Sequence, residues 1–163
     1  MRRYIVLFIL CFIFFFLPLQ VYIIGDFTGI GVQGATFRYQ VSGYGTSLIP
    51  VTRDLMFVSS GIYFGRTALS NILWALGTLL LTCTTLFALI NVKDETVDWF
   101  RQISYGLVSA CLIYICACIA QYGLLFHGPA GFSLPFGILL ILAWIFIFYR
   151  YPDFFSCFDE KSD

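Results

Sequence analysis

The side chains best equipped for chemistry in this chain are few and scattered. Cys116-x-Cys118 is the nearest approach to a dithiol, His127 is the single histidine, and Gly29-Ile30-Gly31-Val32-Gln33-Gly34 has the glycine density of a phosphate-cradling loop. A disulfide-exchange centre needs two thiols that meet, whereas residues two apart point to different sides of a helix. A metal site or proton shuttle needs groups converging on the histidine. The nearest candidates, Asp26 and Asp54, belong to a different segment. A dinucleotide loop needs a strand before it and a helix after it; here a long apolar run precedes and an alternating pattern comes after. No serine or cysteine has a base at a recognisable nucleophile–base spacing. These residues argue against an enzyme, and they imply neither a cofactor nor a metal.

Uncharged polar residues inside apolar stretches say more. Gln20, Asn71 and Gln121 are placed at similar depth, at the outer ends of the first, second and third spans expected from the apolar runs. Amides in lipid seek partners, and interhelical hydrogen bonds there are worth ~0.6–2 kcal/mol. Two roles are open to them: structural glue, which is favoured, or a polar vestibule of a channel or small transporter.

These groups are positioned by three runs without Asp, Glu, Lys or Arg, at 4–25, 67–92 and 102–149. A charge at the bilayer centre costs at least ~2.5 kcal/mol, so such runs read as membrane helices. The third run is long enough for two, broken at His127-Gly128-Pro129-Ala130-Gly131. The expected fold is therefore a membrane all-α, four-transmembrane-helix bundle in one domain, 1–163, with spans at about 4–24, 68–91, 103–126 and 132–149. Pro18 should kink the first span. Its apolar core exceeds the ~7–15 residues of a signal peptide, and no small-x-small cleavage site occurs before Gly25, so a retained anchor is expected.

Composition agrees: 60% hydrophobic, 20% aromatic and 11% charged, with nine basic and nine acidic residues. No polybasic block exists, which leaves nucleic acid without an electrostatic footprint. Arg2, Arg3, Lys93, Arg101, Arg150 and Lys161 fall on one side of the expected spans, in short segments. The positive-inside rule then puts both termini, the 92–102 loop and the 150–163 tail in the cytoplasm of a cell-membrane protein, and 25–66 outside. Tyr4, Trp99, Phe100, Tyr105, Trp144, Tyr149 and Tyr151 form an inner aromatic belt in this reading, and Tyr22, Trp74 and Tyr122 an outer one.

The external segment 25–66 carries a small antiparallel β pattern. Residues 36–42 alternate, with Phe37, Tyr39 and Val41 against Thr36, Arg38 and Gln40; that is the period of a half-buried strand. Residues 48–52 read as its return strand, and 55–59 with 62–64 as a second hairpin around Ser60-Gly61. The six cysteines, Cys11, Cys83, Cys111, Cys116, Cys118 and Cys157, all lie outside this loop, so no external disulfide staples it. Cys157 is placed for lipidation beside the membrane in a eukaryotic host.

Helix packing is expected through two stripes of small residues: Asn71, Ala75, Thr78, Thr82, Thr85 and Ala88 in the second span, and Gly106, Ala110, Ala117 and Ala120 in the third. Such stripes let helices approach closely in lipid.

Four spans, internal termini and a long strand-patterned first external loop resemble the layout of claudin-type tetraspan proteins. The tryptophan and paired cysteines that mark the claudin external loop are absent, as is the Cys-Cys-Gly of tetraspanins, so the likeness is one of layout alone. The expected function is a non-catalytic structural, adhesion or accessory subunit, with the lipid bilayer and other membrane subunits or further copies of itself as partners. Phe37, Arg38, Tyr39, Tyr44, Arg53, Phe57, Tyr63 and Arg66 are its expected contact residues, since aromatic and arginine side chains dominate interface energetics. The alternative is an oligomeric channel or small transporter.

Overall fold

The computed structural model describes residues 2–25, 27–43, 45–93, 98–128 and 130–150, with backbone alone for 2 and 148–150. Asp26, Tyr44, most of the acidic loop at 94–97 and the tail with Cys157 lie outside the described residues. The chain runs α1 (Arg2–Phe15), β1 (Gln20–Ile24), β2 (Gly29–Gln33), β3 (Phe37–Ser42), β4 (Gly45–Pro50), α2 (Val51–Ser59), α3 (Gly65–Ile90), α4 (Trp99–Tyr122), β5 (His127–Gly128), β6 (Gly131–Leu134) and α5 (Phe136–Arg150).

This corrects the expected four-transmembrane-helix bundle. Among the described residues, two helices are long and apolar enough to cross a membrane, α3 with 26 residues and α4 with 24; at helical rise they are about 39 and 36 Å long. With 14 and 15 residues, α1 and α5 reach only about 21–22 Å, short of a ~30 Å hydrocarbon core. The physical reason lies at two prolines. Before Pro18 the helix loosens, with the amides of both Phe16 and Leu17 donating to the Phe12 carbonyl at 2.9 and 3.1 Å. The residue ahead of a proline is disfavoured in helical geometry, so the run breaks instead of kinking. Beyond the break, Gln20–Ile24 becomes a central strand. Likewise 131–134 is a strand, and α5 starts only after Pro135. The Leu19 carbonyl accepts from the amides of Gly137 and Ile138 at 3.1 and 3.3 Å, satisfying orphan donors at the α5 N-terminus. A side chain at Gly137 would collide with the Pro18 backbone.

The β structure is accordingly larger than a segment between two helices. Six strands form one antiparallel sheet in the order β4-β3-β2-β1-β6-β5, with β1 central because apolar runs on either side of the helices both feed it. The expected strand at 36–42 corresponds to β3; its return, expected at 48–52, is β4 at Gly45–Pro50, with Val51 and Thr52 already in α2. The expected second hairpin does not form: 51–59 is helix α2, opening directly after Pro50 and closing with the Ser60 amide on the Met56 carbonyl at 3.0 Å. A short apolar run bounded by turn residues is ambiguous between strand and helix.

Helices α3 and α4 pack against each other along their lengths. The buried side of α3 is Ser70, Asn71, Trp74, Gly77, Leu81, Thr84 and Ala88, rotated from the expected stripe: Ala75, Thr82 and Thr85 are only half-buried. Thr82 and Thr85 donate instead to carbonyls one turn back, those of Thr78 and Leu81. In α4, Ala110 and Ala117 are buried and Ala120 half-buried, and Gly106 lies against Thr84. Close approach serves large side chains as well as small ones, since the Tyr114 ring fills the space over Gly77 and packs at a tilt of 49° against Trp74, 4.7 Å between ring centroids. Of the expected aromatic belt, Trp74, Trp99, Tyr22 and Tyr122 are buried within the protein, and the Trp99 indole donates to the Ala88 carbonyl at 3.1 Å.

Candidate functional site

Alternation along six paired strands gives the sheet two faces of opposite character. The inner one, against the helices, is polar. Gln20 is buried at its centre, donating to the Gln33 side-chain oxygen at 2.8 Å and accepting from Cys118 and Ser133, each at 2.9 Å. Tyr22 lies over Gly31, where a side chain would collide with its ring, and donates to Gln40 at 3.3 Å. Burial pushes the Tyr22 hydroxyl up to about 12, so it stays a donor at neutral pH.

Further along the same face Arg38 pairs with Asp54 of α2 at 2.5 Å and donates to the Tyr63 hydroxyl at 2.9 Å. The two charged side chains are 15% and 4% exposed, so α2 is held to the sheet by a nearly dry ion pair. Burial lifts the Asp54 carboxyl above its ordinary value, with Arg38 pulling the other way. Burial works to lower Arg38, but Asp54, Tyr63 and Tyr22 outweigh it and the guanidinium ends above its ordinary value. The turn before β3 is tied down from below: Trp74 donates to the Gly34 carbonyl at 3.0 Å and Thr78 to that of Ala35 at 2.6 Å.

The outer face is apolar. Its register makes two rows that cross the strands, Leu48–Tyr39–Val32–Val21–Leu134 and Thr46–Val41–Ile30–Ile23–Phe132–His127. Leu48 is 63% exposed and Ile30 54%, with Tyr39, Val41, Phe132 and Leu134 exposed as well. Two clefts mark this face. One of ≈ 320 Å³ is bordered by Ile30 and Val41, one of ≈ 420 Å³ by His127 and Phe132, and Ile23 and Phe27 line both. Phe27 stands at the β1–β2 turn with a positive φ of 61°, a conformation uncommon for a bulky residue.

The expected contact residues are divided by this geometry. Tyr39 and Phe37 share the outer-face parity, and Tyr39 is exposed. Arg38 and Tyr63 are instead bound to each other on the inner side. Arg53 is exposed and lies 5.4 Å over the Phe57 ring, which in turn packs edge-on to Tyr63 at 5.3 Å. Arg66 is exposed on the first turn of α3, and Tyr44 is outside the described residues. Among the three amides, Gln20 is engaged as above, Asn71 is buried on α3, and Gln121 is half-buried near the end of α4. Nothing brings them together by a hydrogen bond among the described residues.

Sequence reasoning missed Ile30, Val41, Leu48, Phe132 and Leu134. Their signal was the alternation itself, which sorts a strand into two faces without saying which one is covered. His127 is exposed at the sheet edge, and no three His, Cys, Asp or Glu side chains converge to hold a metal among the described residues. Cys116 is exposed and Cys118 buried, on different sides of α4. No protein-family model, curated protein or solved structure matches the chain.

Proposed function

We propose that this chain is a non-catalytic integral membrane protein of the cell membrane, a structural, adhesion or accessory subunit that contacts another membrane subunit or a further copy of itself through the outer face of its sheet. The observation that carries this reading is the pair of apolar rows crossing the strands. A contiguous exposed apolar surface on a folded protein marks an interaction site, and here the helices cover the opposite face.

The orientation rests on the positive-inside rule. Arg3 reaches the Val92 carbonyl at 3.1 Å, so the start of α1 lies beside the α3–α4 connection with Lys93 and Arg101. That basic end is the cytoplasmic one in this reading. The alternative, an oligomeric channel or small transporter, draws less support because the Gln20 amide is engaged by Gln33, Cys118 and Ser133 within the fold.

The test is native purification of the full chain with Ile30→Ser and Leu48→Ser combined. The double variant should insert into membranes like the parent and lose most of the co-purifying partner or self-association. Unchanged association, or a parent that is strictly monomeric with no partner at native levels, would sink the proposal.

A further inference from the structure

A second exposed apolar surface, separate from the sheet face, lies on α2 and the elbow that joins it to α3. Thr52, Leu55, Met56 and Ser59 form the side of α2 turned away from Asp54, which the ion pair with Arg38 holds inward. Met56 is 67% exposed. The elbow then presents Ile62 and Phe64, the latter 81% exposed and the last residue before α3.

The elbow is also folded tightly, with the Tyr63 amide on the Phe57 carbonyl at 3.0 Å. Its exposed apolar side chains are thus presented by an ordered structure.

From this surface we infer that the α2–α3 elbow docks on the headgroup layer of a phospholipid leaflet. Depth is the first argument. At about 39 Å, α3 outruns a ~30 Å hydrocarbon core and nearly matches the ~40–45 Å of a bilayer with its headgroups, so its first turn lies among them. Residues 60–64 precede that turn directly.

Continuity is the second argument. Down the outside of α3 the exposed residues Leu69, Ile72, Leu76, Leu79, Cys83 and Leu86 recur at steps of three and four, a stripe suited to acyl chains. Arg66 stands one turn above Leu69, at the level where a basic side chain reaches lipid phosphate. Charge complementarity is the third: Arg53 and Arg66 are both exposed, and neither has an ion-pair partner among the described residues. The only acidic group in 51–66, Asp54, is consumed by Arg38. An interfacial helix places apolar side chains at the headgroup–acyl boundary with its cations on phosphate, and this elbow carries both parts.

The inference rests on the membrane setting proposed above, and its test separates the two. The full chain is reconstituted in phosphatidylcholine vesicles with Met56→Trp or, on the sheet face, Leu48→Trp; the signal is the fluorescence gained over the parent. Phosphatidylcholine brominated at the 6,7 position of one acyl chain should quench the Trp placed at 56 at least twofold more than the one at 48, and aqueous iodide should quench it less. Adding Arg53→Glu and Arg66→Glu should reduce the bromolipid quenching about twofold. Iodide quenching at 56 equal to that at 48, without bromolipid quenching, overturns the inference. So does protection from both quenchers, which would mean that protein covers the elbow. Strong bromolipid quenching at both positions upholds the inference and sinks the reading of the sheet face as a protein contact.

Discussion

On its inner face the sheet carries Gln20, Gln33, Arg38, Gln40 and Ser133, each joined to another side chain of the fold. On its outer face it carries Ile30, Tyr39, Val41, Leu48, Phe132 and Leu134, all exposed. An antiparallel sheet covered on one side ordinarily turns its apolar residues inward and its polar ones to solvent. Here the assignment is reversed. Polar groups are tolerable on the covered side because, the buried Arg38 Nε apart, they bond to one another and to the helices beneath. The apolar side keeps Val21, Ile23 and Val32 half-buried and leaves the other members of its two rows exposed, which is why the proposed contact is assigned to it.

The contrast between the faces meets its most severe test at the buried ion pair. Replacing Asp54 with Ala strands the Arg38 guanidinium in a nearly dry site, and breaking a buried pair in this way costs about 3–5 kcal/mol. Thermal unfolding of the purified protein in detergent should show a large fall in the midpoint; an unchanged midpoint would mean that the pair does not hold α2 to the sheet. Gln20→Ala should come next at about 1–3 kcal/mol, since it leaves Gln33, Ser133 and Cys118 without a shared partner in a buried setting. The same unfolding measurement checks it.

On the outer face the expectation is opposite. Ile30→Ser with Leu48→Ser should change stability by no more than ~0.5 kcal/mol, as exposed substitutions do, while association falls. A large loss of stability without loss of association would erase the distinction between the faces.

The smallest effect is on pH. Burial raises Asp54 above its ordinary value of 3.8, so the folded state holds this proton more tightly than the unfolded one. A raised acid contributes stability that is fully present below the unfolded value and is lost as pH rises through the folded value. Through this group, stability should therefore decline slightly as pH climbs above about 4, and Asp54→Asn should remove that dependence. A parent whose stability rises with pH over this range in a manner abolished by Asp54→Asn would contradict the assignment.

How much was legible varies by element. α3 and α4 could be read as long charge-free helices because length and apolarity suffice for that, and β3 because Phe37, Tyr39 and Val41 alternate with polar residues. β1 was hidden inside the first apolar run: Gln20–Ile24 is uncharged and mostly apolar like the helix before it, and hydropathy does not distinguish the two conformations. Pro18 was the visible warning, and its effect was larger than a kink. β6 was hidden in the same way ahead of Pro135. α2 was obscured because 55–59 is too short a run to show its period.

By itself, the sequence determined a protein poor in charge, its long charge-free apolar runs, and the strand period around residue 39. Those properties are local, set by side-chain type and by distance along the chain. Only the tertiary structure decided that the ends of two apolar runs leave the helices to complete one six-stranded sheet, that Arg38 meets Asp54, and that Gln20 meets Gln33, Cys118 and Ser133. It alone decided which face of the sheet is covered. Alternation separates the two faces of a strand, but which of them is buried depends on partners far away in the chain.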